Sequence, residues 1–332
     1  MKRKDVAHVP VLLQQVLEAI APRPGMVIVD CTVGLGGHSA ELLPRILPGG
    51  RLIGIDFDQA NLDRARSRLS AVAPGNFELF HVNFAGIQKI LTQAGLSRVD
   101  AVLADLGVAS PQIDDPGRGF SYRQDGPLDM RMDTSRGTPA SVLINRLSQQ
   151  EIQESLLELG DETDAPQIAA LIVSRRKDRP IQTTRELMEI ICEARDFTIE
   201  RAAGAKLHPA ARTFQALRIL TNRELGNLEN LLRVLPQVLT QRAGDVSPPV
   251  GTPHASPPAV SPAPRISGGV ACLISFHSGE DRRVKEAFRS GLRTGIYSEV
   301  SDEPLMAEED EQRVNPRSRS AKLRWARRSH EA

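Results

Sequence analysis

Short aliphatic runs recur along the N-terminal third of the chain. Val27-Ile28-Val29, Leu52-Ile53-Gly54-Ile55, Phe77-Glu78-Leu79-Phe80-His81-Val82 and Ala101-Val102-Leu103-Ala104 are separated by polar, helix-length stretches rich in Ala, Leu and Arg. Strands that alternate with helices predict βαβ units and a parallel sheet. The runs are nearly continuous in apolar character, which predicts strands covered on both faces. A fifth strong run, Val270-Ala271-Cys272-Leu273-Ile274-Ser275-Phe276, stands far downstream.

Between the fourth and fifth runs the pattern changes. Residues 111–137 are rich in Gly, Pro, Asp and Arg without a clear period, and a loop of that length inside a compact domain is usually functional or disordered. Ser148-Gln149-Gln150-Glu151 and Thr183-Thr184-Arg185-Glu186 both fit the capping box, in which hydroxyl and carboxylate each satisfy a free backbone donor. Ile152, Leu156 and Leu159, then Leu187, Ile190 and Ile191, follow at helical spacing. Residues 135–206 therefore read as a helical insertion. One long helix is predicted from near Pro209, carrying Phe214, Leu217, Leu220, Leu225, Leu228 and Leu231. Residues 241–267 have the proline-rich composition of an extended or disordered linker. Residues 280–290 look helical, 301–312 are acidic, and Arg313 to Arg328 is a basic tail with one Trp325. The expected division is 1–110 with 207–332 as a split domain and 111–206 as a loop plus helical insertion.

Formal net charge is +1, so bulk charge does not point to an anionic partner. The three cysteines, Cys31, Cys192 and Cys272, are far apart, which argues against a disulfide framework and against a metal site and fits a reducing compartment. The start is basic but lacks a signal-peptide core, and no apolar run reaches the roughly 18 residues of a membrane span. A cytoplasmic location and no membrane partner are the expectation.

The candidate chemistry begins at Asp30-Cys31-Thr32-Val33-Gly34-Leu35-Gly36-Gly37-His38-Ser39. A strand ends, a glycine turn follows and a helix starts, an arrangement that lets backbone approach a ligand closely. The second strand ends in Ile55-Asp56, where an acid can accept from ribose hydroxyls. A dinucleotide would want a third glycine where Ser39 stands, and its pyrophosphate would be repelled by Asp30. S-adenosylmethionine brings an ammonium and no phosphate, so Asp30, Gly34 and Asp56 favour it. The fourth strand ends in Asp105, which faces the same crevice and is the candidate to polarise a reacting amine.

The segment Asp105-Leu-Gly-Val-Ala-Ser-Pro-Gln-Ile-Asp-Asp-Pro-Gly-Arg-Gly-Phe-Ser-Tyr-Arg-Gln-Asp-Gly-Pro-Leu-Asp-Met-Arg-Met-Asp133 resembles the signature of the RsmH/MraW family, bacterial 16S ribosomal RNA cytidine N4-methyltransferases. His8-Val-Pro-Val-Leu-Leu13, Asp30 to Ser39, His208 to Arg218, Ile274 to Ser278 with Glu280-Asp281, and Asn315 to Arg324 match in order over nearly the whole chain. The resemblance implies a Rossmann-like class I methyltransferase sheet of α/β class with an inserted helical domain. It implies S-adenosyl-L-methionine as cofactor and the small ribosomal subunit as partner. Carried over residue by residue, it places Gly36, Gly37 and His38 in the cofactor turn, Asp56 on the ribose, Phe84 near the adenine, and Asp105 and Gln112 beyond the fourth strand.

Phe120 and Tyr122 are candidates to stack on an unpaired base, and Arg118, Arg123, Arg131 and Arg324 to meet RNA phosphates. The alternatives are loop packing for the aromatics, and ion pairing with Asp114, Asp125, Asp129 and Asp133 for the loop arginines. His277 is a candidate for the base pocket, while Ser278 with Asp281 reads as a helix cap. Two other functions stay open: a DNA amino-methyltransferase on the same fold, and a non-catalytic RNA-binding assembly factor. A homodimer is among the partners considered.

Overall fold

The computed structural model describes residues 10–205, 207–241 and 268–330, so the predicted linker, apart from Gln241, lies outside the described residues. The chain divides into two compact units, one from the described parts of Met1–Gly107 and Gly226–Ala332, the other from Val108–Leu225. Among the described residues, no helix is long and apolar enough to cross a membrane.

The first unit is built on one eight-stranded sheet. Its strands are β1 Val27–Asp30, β2 Arg51–Asp56, β3 Phe77–His81, β4 Ala101–Asp105, β5 Val270–Ser275, β6 Tyr297–Val300, β7 Leu305–Met306 and β8 Lys322–Arg328. The order is β3-β2-β1-β4-β5-β8-β6, with β7 also on β8. The first five are parallel, whereas β8 runs antiparallel to β5, β6 and β7. This is the expected Rossmann-like α/β sheet, with the other unit inserted between β4 and β5.

Continuous apolar runs become intelligible from the two cores. Val27, Val29, Ile53, Ile55, Val102 and Ala104 face one side, packed with Ile87, Ile90, Leu228, Leu231, Val284 and Phe288. Ile28, Leu52, Leu103, Cys272 and Ile274 face the other, packed with Val16, Ile20, Leu42, Leu43 and Leu69. Successive side chains of a strand point to opposite faces, so burial on both faces removes any polar alternation.

The basic tail departs from expectation. Instead of offering Arg324 to RNA phosphates, residues 322–328 form β8, inside the sheet. Leu323 and Ala326 fill the core, and Arg324, only 4% exposed, donates from Nε to Asp281 at 2.7 Å. Burial pushes the Asp281 carboxyl up, but Arg324 and Lys322 outweigh it and hold the carboxyl below its ordinary range. A charge can enter a core position when its partner is enclosed with it.

The second unit has its own core. Ile152, Leu156, Ile168, Ile172, Leu187, Ile191, Phe214 and Leu217 meet there. Both capping boxes form: Ser148 with Glu151 opens helix Gln149–Gly160, and Thr183 with Glu186 opens helix Thr184–Ala194. The single long helix predicted after Pro209 is two helices, Ala211–Asn222 and Glu224–Val238, broken at Arg223, whose φ of +52° ends the first. The break sends Phe214 and Leu217 to the second unit and Leu228 and Leu231 to the first. Residues 207–225 thus belong with the helical unit, whereas the sequence division had placed them with the split domain.

Removing one partner of an enclosed ion pair leaves an uncompensated charge. Arg324→Ala should lower the unfolding free energy by about 2–4 kcal/mol, the smaller end reflecting the nearby Lys322. Urea denaturation measures this, and an unchanged midpoint would refute the structural role of Arg324.

Candidate functional site

Three adjacent parallel strands, β2, β1 and β4, each end in an aspartate: Asp56, Asp30 and Asp105. Register therefore sets three carboxylates in a row at one edge of the sheet, beside the turn that follows β1.

That turn is held by side chains as well as by backbone bonds from Cys31 to Leu103 and from Val33 to Ile55. Asp30 is 1% exposed and accepts from the Ser39 hydroxyl at 2.6 Å and the Thr32 N–H at 3.2 Å. Asp56 accepts from the N–H groups of Gly34 and Asp58, both at 2.8 Å, and from Asn61 at 3.3 Å. Thr32 Oγ1 accepts the Asp105 N–H at 2.6 Å, tying the turn to the end of β4. Gly36 sits at φ +76°, which requires glycine, and a Cβ there would lie a tight 3.3 Å from Ala65 Cα. Helix Gly37–Arg45 then begins, with His38 in its first turn.

Burial governs the electrostatics. It pushes Asp30 up to about 6, against the Ser39 hydroxyl, His38 and the Thr32 N–H, with the Asp105 charge adding to the rise. Asp56 likewise rises to about 6 by burial, against its three donors. Burial lowers His38, against Asp30, the Val11 carbonyl and Glu311. His38 Nε2 lies 2.9 Å from the Val11 carbonyl oxygen, which can only accept, so Nε2 carries the proton. Neutral His38 then presents a bare Nδ1 toward Asp105 Oδ2, 3.9 Å away. Both facing groups are hydrogen-bond acceptors.

The sequence-derived candidates sort as follows. Gly34, Gly36, Gly37, His38, Asp30, Asp56 and Asp105 come together around the turn. Asp30 is enclosed, so its carboxylate fastens the turn instead of presenting itself to a ligand. Phe84 opens the short helical turn Phe84–Gly86 after β3, half-buried against the core. Gln112 belongs to the second unit, where its side-chain oxygen accepts the Ala109 N–H at 2.9 Å.

Within the second unit, Arg131 binds Asp129 through two nitrogens at 2.7 and 2.8 Å, and Arg136 pairs with Asp133. Arg118 donates to the carbonyls of Arg131 and Met132 and lies over the Phe120 ring. Phe120 is buried in the helical core. Tyr122 stacks on His208 at 4.3 Å, and Arg123 is exposed. Internal pairing thus accounts for most of the loop's charges.

His277 is the N-cap of helix Ser278–Arg293, one residue before the expected cap at Ser278. Its Nε2 lies 3.2 Å from Glu280, whose other oxygen accepts the Phe276 N–H at 2.8 Å. Asp281, expected in that capping role, is bound to Arg324. The sequence reading missed Thr32 and Ser39 as clamps of the turn. The signal available was a hydroxyl residue on each side of a glycine turn that carries an acid.

The pattern of the MraW methylase family matches residues 5–246 and 260–329. Ribosomal RNA small subunit methyltransferase H of Geobacter sp. (strain M21) is 41% identical over 97% of this chain and 98% of its own length. The protein of the same name from Symbiobacterium thermophilum is 41% identical over 96% of this chain and 95% of its own. Among solved structures, an rRNA methylase from Streptococcus thermophilus aligns over 98% of this chain and 100% of its own, at 9% identity and a TM-score of 0.40.

The raised carboxyl of Asp30 generates a pH prediction. The folded state binds the extra proton between about pH 4, near the free value, and about pH 6, so the Asp30 contribution falls as pH rises through that window. Asp30→Asn removes the buried charge. Above pH 7 the variant should be more stable than the parent by up to about 3 kcal/mol, at 1.36 kcal/mol per unit, with the advantage gone near about pH 4. Calorimetric unfolding at both pH values checks it, and an advantage that grows on acidification would contradict it.

Proposed function

The chain belongs to the MraW methylase family, and from that premise we propose that it transfers the methyl group of S-adenosyl-L-methionine to the exocyclic N4 of a cytidine in 16S ribosomal RNA. What carries this reading is the acceptor pair of His38 Nδ1 and Asp105 beside the glycine turn. Such a pair attracts an ammonium and repels a pyrophosphate. The relatives, each a ribosomal RNA small subunit methyltransferase H, support ribosomal RNA as the substrate class.

The residues fit this cofactor. Gly34, Gly36 and Gly37 give backbone access, and His38 with Asp105 offers acceptors to the ammonium. Asp56 has filled three of its roughly four acceptor positions and can take a ribose hydroxyl in the last. Phe84 supplies an apolar ring for the adenine. When bound, the cofactor supplies an electrophilic sulfonium methyl.

The cytosine N4 lone pair is delocalised into the ring, so the amine is a poor nucleophile and gains positive charge as it reacts. Acceptors aimed at its N–H groups lower that barrier, and their worth depends on being fixed beforehand. Asp105 is fixed. Its own N–H is tied to Thr32, and its Oδ1 accepts the Gly107 N–H at 3.3 Å. We assign cytidine polarisation to the carboxylate and to the backbone carbonyls that follow it. We assign RNA contacts to the second unit, with exposed Arg123 as the group least committed to internal packing.

The test uses small subunits, with labelled donor and mass mapping of modified cytidine. N4-methylcytidine should appear in 16S RNA. Asp105→Ala should lower transfer by about a hundredfold or more, with cofactor binding measured separately by calorimetry. Transfer to DNA in preference to small subunits, or no transfer by the unaltered protein, would overturn the reading.

A further inference from the structure

Helix Leu13–Ile20 starts in an unusual way. Its N-cap, Leu12, is fully buried and sits in the left-handed region at φ +56°, ψ +34°, with no side-chain cap of its own. A bulky residue is held there only when its surroundings fix it. Gln15 occupies the position from which a side chain could reach back to the N-cap N–H, yet its side-chain oxygen is buried with no partner among the described residues. The Leu12 N–H goes instead to Glu311 Oε1, at 2.8 Å, from a helix 299 positions away in the chain.

That bond fixes more than the helix. The left-handed turn at Leu12 aims the preceding carbonyl, Val11 O, at His38 Nε2. It also lays the Pro10 ring against the glycine turn, where a Cβ on Gly37 would stand 3.3 Å from Pro10 Cγ. Residues 10–12 are thus a strap across the start of helix Gly37–Arg45, fastened by Glu311 at one end and by His38 at the other.

We propose that Glu311 is a positioning residue for the cofactor turn. By holding the Leu12 N–H it keeps the strap in place, the strap keeps the proton on His38 Nε2, and His38 is left with an acceptor Nδ1 facing Asp105. Without Glu311 the strap loses its anchor and the buried Leu12 N–H loses its acceptor. His38 can then exchange tautomers or turn its ring, and the acceptor pair is no longer preformed. Glu311 touches neither the proposed cofactor nor the cytidine. It acts through two intervening bonds. The inference rests on the reading of the turn as the S-adenosyl-L-methionine site, and its spectroscopic half does not.

Two full-chain variants test it. Glu311→Ala removes the acceptor, and Glu311→Gln keeps a neutral one in the same place. Glu311→Ala should raise the KM for S-adenosyl-L-methionine about tenfold, the scale of one lost charge-assisted hydrogen bond. Its kcat on small subunits should stay within about twofold, because Asp105 keeps its own anchors. Nitrogen-resolved imidazole spectra of the ligand-free protein should show His38 as the Nε2–H tautomer in the parent and in Glu311→Gln, and as a mixture in Glu311→Ala. Unchanged KM and unchanged His38 signals in Glu311→Ala overturn the proposal. Equal losses in both variants also overturn it, because the neutral acceptor must rescue. If the parent protein binds no S-adenosyl-L-methionine, the function reading falls and takes the cofactor half with it. Parent binding with an indifferent alanine variant sinks this proposal alone.

Discussion

The hydrogen bonds from the glycine turn into the carboxylates of Asp30 and Asp56 are the constraint on which the first unit depends. A chain leaving a parallel strand and entering a helix has N–H groups that no ladder receives. Here Asp56 takes those of Gly34 and Asp58, while Asp30 takes that of Thr32 and the Ser39 hydroxyl. Both acids are held near 6 by burial, so the turn is fastened at a cost in desolvation. What results is a backbone that cannot drift, beside an aspartate at the end of β4 that is anchored to it through Thr32. Preorganisation of that kind is what a methyl transfer to a weak nucleophile needs.

Much of the fold was legible because it depends on local pattern. The centres of β1, β2, β4 and β5 are continuously apolar, and that follows from two covered faces. The capping boxes at Ser148 and Thr183 announce their helices by residue type alone. The hidden parts depend on distant partners. Nothing near Lys322 to Arg328 marks a strand, since Arg324 reads as solvent-seeking until Asp281 is brought beside it. The break at Arg223 carries no glycine or proline, so the leucine period runs through it unmarked.

The site shows the same split. Gly34, Gly36, Gly37, Asp56 and Asp105 follow from strand ends and turn chemistry. Asp30 was legible as a site residue, but its burial was not, because Ser39 and Thr32 lie on either side of the turn and close over it only in three dimensions. The loop of residues 111–137 gave two readings of its charges, RNA contact or internal pairing. For Arg131 and Arg136 the structure supplies acid partners two and three residues away. Exposed Arg123 is not consumed in this way, whereas the Tyr122 ring is packed on His208 and Phe214.

The place of β8 in the sheet bears on how the protein is made. Strands β1 to β5 can pair as they emerge, since domains generally fold as they are synthesised. Yet β8, made after all the others, lies between β5 and β6. Until residues 322–328 leave the ribosome, β5 has an open edge and β6 has no neighbour, and unpaired edges invite wrong partners. The acceptor for the Leu12 N–H arrives only a few residues sooner. A nascent chain therefore carries an unfinished turn after β1 until residues 311–328 have been made, and both the sheet and the turn close only then.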